Sequence, residues 1–122
     1  MFKRIDHIAL HAADLDRTVT FYERHFGCRR YFDQVSSRGF RIAYLKLGDG
    51  TLEVVGRSDG AMTGFHFCIQ TDDFDGAVAR LKTDGVPCLQ EPHPTPARAA
   101  GEEGWRRAVF RGPDGESVEL RG

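Results

Sequence analysis

The sequence predicts an α+β fold made of one βαβββ unit that occurs twice along the chain. Two observations predict it: a set of residues that recurs at a fixed interval, and the same order of strand and helix signals in each half. Six pairs of positions share a residue or residue type at an offset of 59, the first being His7 with His66 and the last Val19 with Val78. Such self-similarity is typical of an internal repeat. We therefore interpret the chain of 122 residues as one domain of two repeats, about 1–58 and 62–122.

The first repeat begins with a predicted strand over Lys3–Leu10, and a helix follows it. Asp14 is the predicted N-cap, because its carboxylate can accept hydrogen bonds from the free N–H groups of the first turn. An apolar stripe at helical spacing follows, and Gly27 ends the helix. The stripe is Leu15, Val19, Tyr22 and Phe26. Three further strands are predicted over Arg29–Asp33, Phe40–Leu47 and Thr51–Val55, with Asp49-Gly50 as a turn signal.

The second repeat shows the same order of elements. A strand is predicted over Phe65–Ile69, and Asp73 caps a helix that ends at Gly85. The later strands are predicted over Val86–Leu89, Arg106–Arg111 and Ser117–Arg121, with a turn at Pro113-Asp114-Gly115. Between Gln90 and Trp105 the chain is rich in Pro, Ala, Gly and Glu and has no counterpart in the first repeat, which predicts a loop or a lid.

Composition argues against several classes of function, among them nucleic-acid binding and membrane association. With 17 basic and 18 acidic residues the net charge is −1, which provides no basic field for nucleic acid and no polybasic stretch for a membrane surface. No apolar run approaches the roughly 18 residues of a membrane-spanning helix, and the start of the chain does not resemble a signal peptide. The chain has three cysteines, Cys28, Cys68 and Cys88. Because their number is odd and no two of them form a C-x-x-C pair, we expect neither a disulfide framework nor a cysteine zinc site. We expect a cytoplasmic protein with a small-molecule partner.

Four residues with metal-ligand chemistry occupy matched places in the two repeats. Because strand side chains alternate, the apolar neighbours of His7 and His66 pack on the helices while both imidazoles point to the opposite face. The same alternation sends the carboxylates of Glu53 and Glu119 away from the packed side. A single strand histidine is usually half-buried without a ligand, and a single strand glutamate usually faces solvent. All four at matched positions favour a metal site.

The ligand set also indicates which metals would bind. Two imidazoles and two carboxylates form a mixed nitrogen and oxygen set without a thiolate. Such a set suits a divalent ion such as Zn, Ni, Co, Fe or Mn, with water in the remaining coordination positions. We therefore predict one metal site formed by His7, Glu53, His66 and Glu119.

Several segments spread over the chain together match one known family. They are Asp6-His7-Ile8-Ala9-Leu10, Asp14-Leu15-Asp16-Arg17 with Phe21-Tyr22, Leu52-Glu53-Val54, Gly64-Phe65-His66-Phe67, and Gly112-Pro113-Asp114-Gly115 leading to Val118-Glu119-Leu120. With them the chain resembles the vicinal oxygen chelate superfamily, the group of glyoxalases, bleomycin-resistance proteins and dioxygenases. The resemblance implies two βαβββ modules that form a cupped, mostly antiparallel mixed sheet around a metal, commonly completed in a homodimer. The family's metal positions correspond to His7, Glu53, His66 and Glu119.

Within that superfamily the four-ligand set is similar to that of glyoxalase I, a lactoylglutathione lyase. The chemistry that this implies is isomerisation of a hemithioacetal, in which the metal binds adjacent substrate oxygens and stabilises an enediolate. A glutamate held loosely by the metal, here Glu119 or Glu53, acts as the base and returns the proton to the next carbon.

Two positions depart from bacterial glyoxalase I. His11 stands where that family has an arginine four residues after the first metal histidine, and Arg57 stands where it has an asparagine four residues after the first metal glutamate. Both positions help to hold glutathione in the family, so we predict that His11 and Arg57 contact the substrate. Arg57 suits a carboxylate partner, and activity with glutathione is expected to be weaker than in a dedicated glyoxalase I.

Other superfamily activities remain as alternatives. The stretch from Phe40 to Glu53 also looks like methylmalonyl-CoA epimerases, although Ser36-Ser37-Arg38 lacks the carboxylate that those enzymes carry there. Fosfomycin-resistance transferases share the pattern of two histidines and a final glutamate without needing Glu53. A non-catalytic binding module, as in bleomycin resistance, typically lacks the metal residues. We interpret Cys68, on the same strand face as His66, as a buried neutral thiol.

Overall fold

The computed structural model describes residues 1, 4–58 and 65–122. The chain forms two compact units, Met1–Met62 and Thr63–Gly122. Each unit contains one α-helix and one four-stranded mixed sheet, so the predicted α+β class and the repeated βαβββ order are confirmed.

The first unit follows the predicted order of elements. Its elements are β1 (Ile8–Ala12), α1 (Leu15–Phe26), β2 (Arg29–Val35), β3 (Arg41–Leu47) and β4 (Gly50–Gly56). The strands lie in the order β1-β4-β3-β2. β1 is parallel to β4, whereas β3 is antiparallel to both of its neighbours.

The second unit has the same topology. Its elements are β5 (His66–Gln70), α2 (Phe74–Thr83), β6 (Cys88–Pro94), β7 (Arg106–Arg111) and β8 (Ser117–Arg121). The strands lie in the order β5-β8-β7-β6, with β5 parallel to β8 and the other pairs antiparallel. The second repeat therefore reproduces the strand pairing of the first as well as its element order.

The two helices begin at the predicted caps. A side-chain oxygen of Asp14 accepts from the backbone N–H of Arg17 at 3.0 Å, and Asp73 accepts from Gly76 at 3.0 Å. Each contact satisfies one of the N–H groups that a helix start leaves unpaired. α1 ends at Gly27, whose φ of 67° lies in the left-handed region that glycine adopts without a steric penalty.

One face of each sheet is apolar and packed. In the first unit the buried strand residues include Leu10, Ala12 and Val54, and in the second Ala108, Phe110, Val118 and Leu120. Leu15, Val19 and Tyr22 of α1 are also buried. Because successive strand residues face opposite sides, this burial fixes which side chains stand on the other face of each sheet.

Two predicted elements differ from the structure. β1 begins at Ile8, so His7 immediately precedes the strand, while Lys3 of the predicted strand and Gly64 lie outside the described residues. β6 continues to Pro94 and so occupies part of the predicted loop between Gln90 and Trp105. β6 tolerates its prolines because it is an edge strand, where one side needs no ladder hydrogen bonds.

The hairpin turn of the first unit lies one residue earlier than predicted. Leu47 pairs with Gly50, so Gly48 and Asp49 form the turn, and Gly48 has a φ of 55°. The equivalent connection of the second unit is longer and contains Glu116, whose side chain is fully buried. Neither α1 nor α2, the helices of the described residues, is long and apolar enough to cross a membrane.

Candidate metal-binding site

The strand register places the two predicted His–Glu pairs equivalently. Glu53 of β4 is the strand partner of Ala9, and Glu119 of β8 is the strand partner of Cys68. His7 stands two residues before Ala9, and His66 stands two residues before Cys68. Side chains two residues apart on an extended segment lie on the same face. Each histidine therefore shares a sheet face with the glutamate of its own unit.

The first pair, His7 and Glu53, is in direct contact. Nε2 of His7 lies 3.3 Å from Oε2 of Glu53. The other ring nitrogen, Nδ1, donates a hydrogen bond to Oδ2 of Asp6 at 3.0 Å. The carboxylate of Asp6 can only accept, so Nδ1 carries a proton, and Nε2 is the ring nitrogen that faces Glu53.

This arrangement has the features of a metal ligand pair. Bonds of about 2.0–2.1 Å to zinc place neighbouring nitrogen and oxygen donors roughly 3 Å apart, close to the 3.3 Å seen here. Metal-binding histidines almost always donate their second ring N–H to a carboxylate, a carbonyl or water, which is the role Asp6 has the geometry to perform. The hydrogen bond to Asp6, and more weakly the charge of Glu53, raise the pKa of His7 above its ordinary value.

Aromatic side chains surround the first pair. Tyr44 of β3 is the strand partner of Glu53, and its ring lies edge-on to that of His7 with centroids 6.5 Å apart. Gln34 donates to the Tyr44 hydroxyl at 2.8 Å. Burial, followed by a hydrogen bond to Glu53, raises the pKa of Tyr44. Phe32 packs against Tyr44 yet remains 52% exposed, so these aromatic residues form an accessible wall and not part of the core.

The second pair, His66 and Glu119, has a different neighbour. Nη1 of Arg107 on β7 lies 3.6 Å from Oε2 of Glu119, whose side chain is 12% exposed. His66 is exposed at the first position of β5. Cys68 is exposed, contrary to the predicted burial, because the sheet face that it shares with His66 is not the packed one. Partial desolvation, with a smaller contribution from Glu119, raises the pKa of Cys68 to about 11, which keeps its thiol neutral as predicted.

Arg107 is held in place by His93 of β6. Nε of Arg107 donates to Nε2 of His93 at 2.9 Å, and Nδ1 of His93 donates to the backbone carbonyl of Glu91 at 2.8 Å. The sequence did not single out this connection, because β6 was predicted to end before His93. The extended strand is what brings His93 opposite Arg107, its register partner on β7.

The segment between β6 and β7 is tied to the second unit by charged residues. Glu102 accepts from the backbone and the side chain of Arg98, both at 2.8 Å, and Arg121 lies 3.2 Å from the same carboxylate. These bonds, led by Arg98, lower the pKa of Glu102 to about 2. Arg121 also lies over the ring of Trp105 and is only 6% exposed. The segment predicted as a loop or lid is therefore anchored in this structure.

The two predicted substrate contacts both lie in the first unit. His11 follows Ala9 on the same face of β1 and is half-buried. Arg57 follows β4, and its guanidinium lies over the ring of Phe40 at 4.8 Å. Arg57 and Phe40 border a cleft of about 490 Å³, which His11 does not line.

The structure brings together part of the predicted ligand set. His7 and Glu53 are in contact, and His66 and Glu119 share one sheet face. Among residues 1, 4–58 and 65–122, no group of three or more His, Cys, Asp or Glu side chains is arranged to hold a metal ion. The complete set of four ligands stays a prediction.

Comparison with known proteins gives a family match over nearly the whole chain. The family model of the Glyoxalase/Bleomycin resistance protein/Dioxygenase superfamily matches residues 4–120. Lactoylglutathione lyase GLX1 of Arabidopsis thaliana is 29% identical over 97% of this chain and 44% of its own length. Human mitochondrial methylmalonyl-CoA epimerase is 28% identical over 72% of this chain and 57% of its own length. The chain thus spans about half the length of these curated relatives.

Solved structures with the same fold include a binding protein and a resistance protein. TnmS3, an antibiotic binding protein from Streptomyces sp. CB03234, is 25% identical with a TM-score of 0.79, and the match covers 98% of this chain and 94% of that one. A mutant of the fosfomycin resistance protein FosX from Listeria monocytogenes, complexed with Mn(II) and 1S,2S-dihydroxypropylphosphonic acid, is 23% identical with a TM-score of 0.74 over 100% of this chain and 93% of that one. The latter likeness shows the fold alone.

Proposed function

The chain belongs to the Glyoxalase/Bleomycin resistance protein/Dioxygenase superfamily, and from that membership we propose that it is a metal-dependent lyase or isomerase similar to lactoylglutathione lyase. The observation that carries this proposal is the His7–Glu53 contact of 3.3 Å with Asp6 on the far ring nitrogen. The equivalent register of His66 and Glu119 supports a second pair of the same kind.

In this proposal His7, Glu53, His66 and Glu119 hold one divalent ion, of Zn, Ni, Co, Fe or Mn. The donor set fits such an ion, because imidazole nitrogen and carboxylate oxygen are ligands that these metals accept. When bound, the ion supplies Lewis acidity to two adjacent oxygens of the substrate. The FosX structure that holds Mn(II) supports a divalent ion on this fold.

The two glutamates have different parts in the proposed reaction. Glu53 lies between His7 and Tyr44 and remains a ligand. Glu119 takes a proton from the substrate carbon beside the reacting oxygens and returns it to the neighbouring carbon. The different neighbours of the two carboxylates support this division, because Glu53 lies 3.3 Å from His7, whereas Glu119 lies 3.6 Å from Nη1 of Arg107.

His11 and Arg57 are the proposed substrate contacts of the first unit. A cationic Arg57 would pair with a carboxylate or another anionic arm of the substrate. A hemithioacetal of methylglyoxal and a small thiol is the first substrate class to test. Branched acyl-CoA thioesters follow, because the match to methylmalonyl-CoA epimerase supports an epimerase as the alternative activity.

We also propose that the whole chain is a single domain of two repeats and acts as a cytoplasmic homodimer. Each four-stranded sheet has edge strands, and pairing or covering such edges is a common reason for dimer formation. Sedimentation as a monomer at a protein concentration of about 50 µM would contradict a stable dimer of standard interface size. The three free cysteines suit a reducing compartment.

Metal analysis combined with a substrate screen tests the enzyme proposal. The purified protein is expected to bind one metal per chain, and a turned-over substrate is expected to exchange its abstracted hydrogen with solvent deuterium. A second candidate is a non-catalytic module, which the 25% identity to the antibiotic binding protein TnmS3 favours. Tight binding of a small organic molecule by metal-free protein, without turnover of any substrate class, would favour that candidate and contradict the enzyme.

A further inference from the structure

Arg107 has hydrogen-bond donors that the described residues do not use. A guanidinium carries five N–H donors, and among the described residues only His93 accepts a hydrogen bond from Arg107, from Nε at 2.9 Å. Nη1 is 3.6 Å from Glu119, a separation beyond hydrogen-bond length. The side chain of Arg107 is 39% exposed. The two Nη groups therefore face the open side of the sheet with donors to spare.

The contact with His93 fixes the position of these donors. The neutral tautomer of His93 is set by two partners, because Nδ1 donates to the carbonyl of Glu91 and Nε2 accepts from Arg107. Nε2 of His93 accepts from Nε of Arg107, which leaves both Nη groups for other partners, and Nη1 lies 3.6 Å from Glu119. A long side chain anchored in this way loses less conformational freedom when it binds a ligand.

We propose that Arg107 binds an anionic group of the substrate, a carboxylate or a phosph(on)ate, next to the position of Glu119. The proposal rests on the proposed function, because a bound cation would offset the negative charge of Glu119, which otherwise repels an anion at this position. Two Nη donors in one plane match two oxygens of an oxyanion. The substrate class is then a molecule with adjacent oxygens for the metal and an anionic group close to them.

Two chelators that differ in one group test this assignment on metal-loaded protein. Acetohydroxamate offers two adjacent oxygens to a metal, and phosphonoacetohydroxamate offers the same two oxygens plus a phosphonate. Calorimetry on the Zn-loaded protein is expected to show that the phosphonate arm tightens binding roughly 10- to 100-fold, the range of charge-assisted hydrogen bonds. Arg107→Ala is expected to remove most of that gain, and the variant is expected still to bind zinc and acetohydroxamate. Arg107→Lys should retain part of it.

Arg111→Ala is the matched control, because Arg111 lies four residues further along the same face of β7, opposite Ser117. This variant is expected to keep the full gain from the phosphonate arm. An equal gain in Arg107→Ala and wild type, or no gain in wild type, would overturn the assignment. Failure of the wild type to bind zinc or acetohydroxamate would overturn the proposed function instead.

A metal-free experiment tests Arg107 independently of that function. Glu119→Gln removes the charge that Arg107 faces, so this variant is expected to bind inorganic phosphate at millimolar concentration. The double variant Glu119→Gln with Arg107→Ala is expected to bind phosphate roughly tenfold more weakly. Equal phosphate affinity of the single and double variants would show that Arg107 is not an anion site.

Discussion

The two repeats place a histidine and a glutamate in the same backbone register, yet the two glutamates have different neighbours. Glu53 contacts His7, and its strand partner on β3 is Tyr44. Glu119 faces Arg107, and its strand partner on β7 is Val109. The first pair is thus bordered by aromatic rings and the second by a cation.

This difference follows from which face of each sheet is packed. Alternate strand residues such as Val54 and Val118 are fully buried, and a shift of one residue would expose them. The packed face therefore fixes the positions of Glu53 and Glu119 in both units. The opposite face is less completely buried, although Val55 and Val109 are buried there, so the residues around the two carboxylates can differ. One fold unit thereby supplies two equivalent ligand positions with separate chemical environments.

The largest expected effect distinguishes the two glutamates in catalysis. Glu119→Gln should keep the fold and most metal affinity but lower turnover by about 10²- to 10⁴-fold, because an amide oxygen can still meet a metal but cannot accept a proton. Glu53→Gln should lower turnover much less at saturating metal, because in the proposed reaction Glu53 holds the metal and does not accept the proton. Steady-state kinetics on a substrate identified by the screen, with metal content measured in parallel, checks both expectations.

The opposite outcome is equally informative. If Glu53→Gln abolishes turnover at full metal occupancy while Glu119→Gln turns over at the wild-type rate, the two roles are exchanged. In that case Glu119 would be a permanent metal ligand, and Arg107 would be the neighbour of that ligand and not of the catalytic base.

The next expected effect concerns the histidines. Loss of partners that only orient a ligand typically weakens metal binding about 10- to 100-fold, so loss of a ligand itself should cost at least about 100-fold. We expect this for both His7→Ala and His66→Ala, measured by competition with a chelator of known zinc affinity. His25→Ala, on α1, is the control. A His66→Ala protein that retains full metal affinity would remove the second pair from the site.

Much of the fold could be predicted from the sequence because its signals are local. Helix caps such as Asp14 and Asp73 and alternating apolar residues in strands act within a few residues. Both predicted helices and all eight predicted strands are present, with some strand ends shifted. The strand predicted for β6 ended too early, at Leu89, because prolines such as Pro92 and Pro94 are typical of loops. An edge strand accepts proline, but edge position depends on strand order, which is a property of the whole sheet.

The ligand residues could be predicted from the sequence because each repeat has a histidine in its first strand segment and a glutamate in its last strand. Their surroundings could not be chosen in that way, because by strand register Tyr44, Arg107 and His93 correspond to Val109, Ile42 and Gln34, which are residues of other types. The contact of Asp6 with His7 was also missed. The residue at the equivalent place in the second repeat is Phe65, so repetition gave no signal for Asp6. The predicted convergence of all four ligands remains for metal measurements to test.

A third prediction compares the two β-hairpin connections. A Cβ added at Gly112 would lie 2.1 Å from Oε1 of Glu116, a fully buried side chain that accepts from the backbone N–H of Asp114. Gly112→Ala should therefore lower the free energy of unfolding by about 1–3 kcal/mol, as overpacking does. Chemical denaturation followed by circular dichroism measures it.

The matched variant is Gly48→Ala in the first hairpin. Nothing lies within 4 Å of an added Cβ there, so only the positive φ of 55° opposes the substitution, at a cost of about 1–2 kcal/mol. Gly112→Ala is expected to be the more destabilising of the two. A smaller effect at Gly112 would indicate that Glu116 moves aside easily and does not anchor the second connection.

The smallest expected effect tests the asymmetry between Asp6 and Phe65. Asp6→Asn removes the charge that polarises His7 through Nδ1, and the loss of such a carboxylate typically weakens metal binding about tenfold. The affinity is best measured at pH 8.5, about two units above the ordinary histidine pKa, so that competition from protons is small. Asp16→Asn, which removes another exposed carboxylate charge, here paired with Arg41, is the control and should leave metal affinity unchanged. If Asp6→Asn binds zinc as tightly as wild type, the first pair has no carboxylate support beyond Glu53, and the two His–Glu pairs differ only in what surrounds their glutamates.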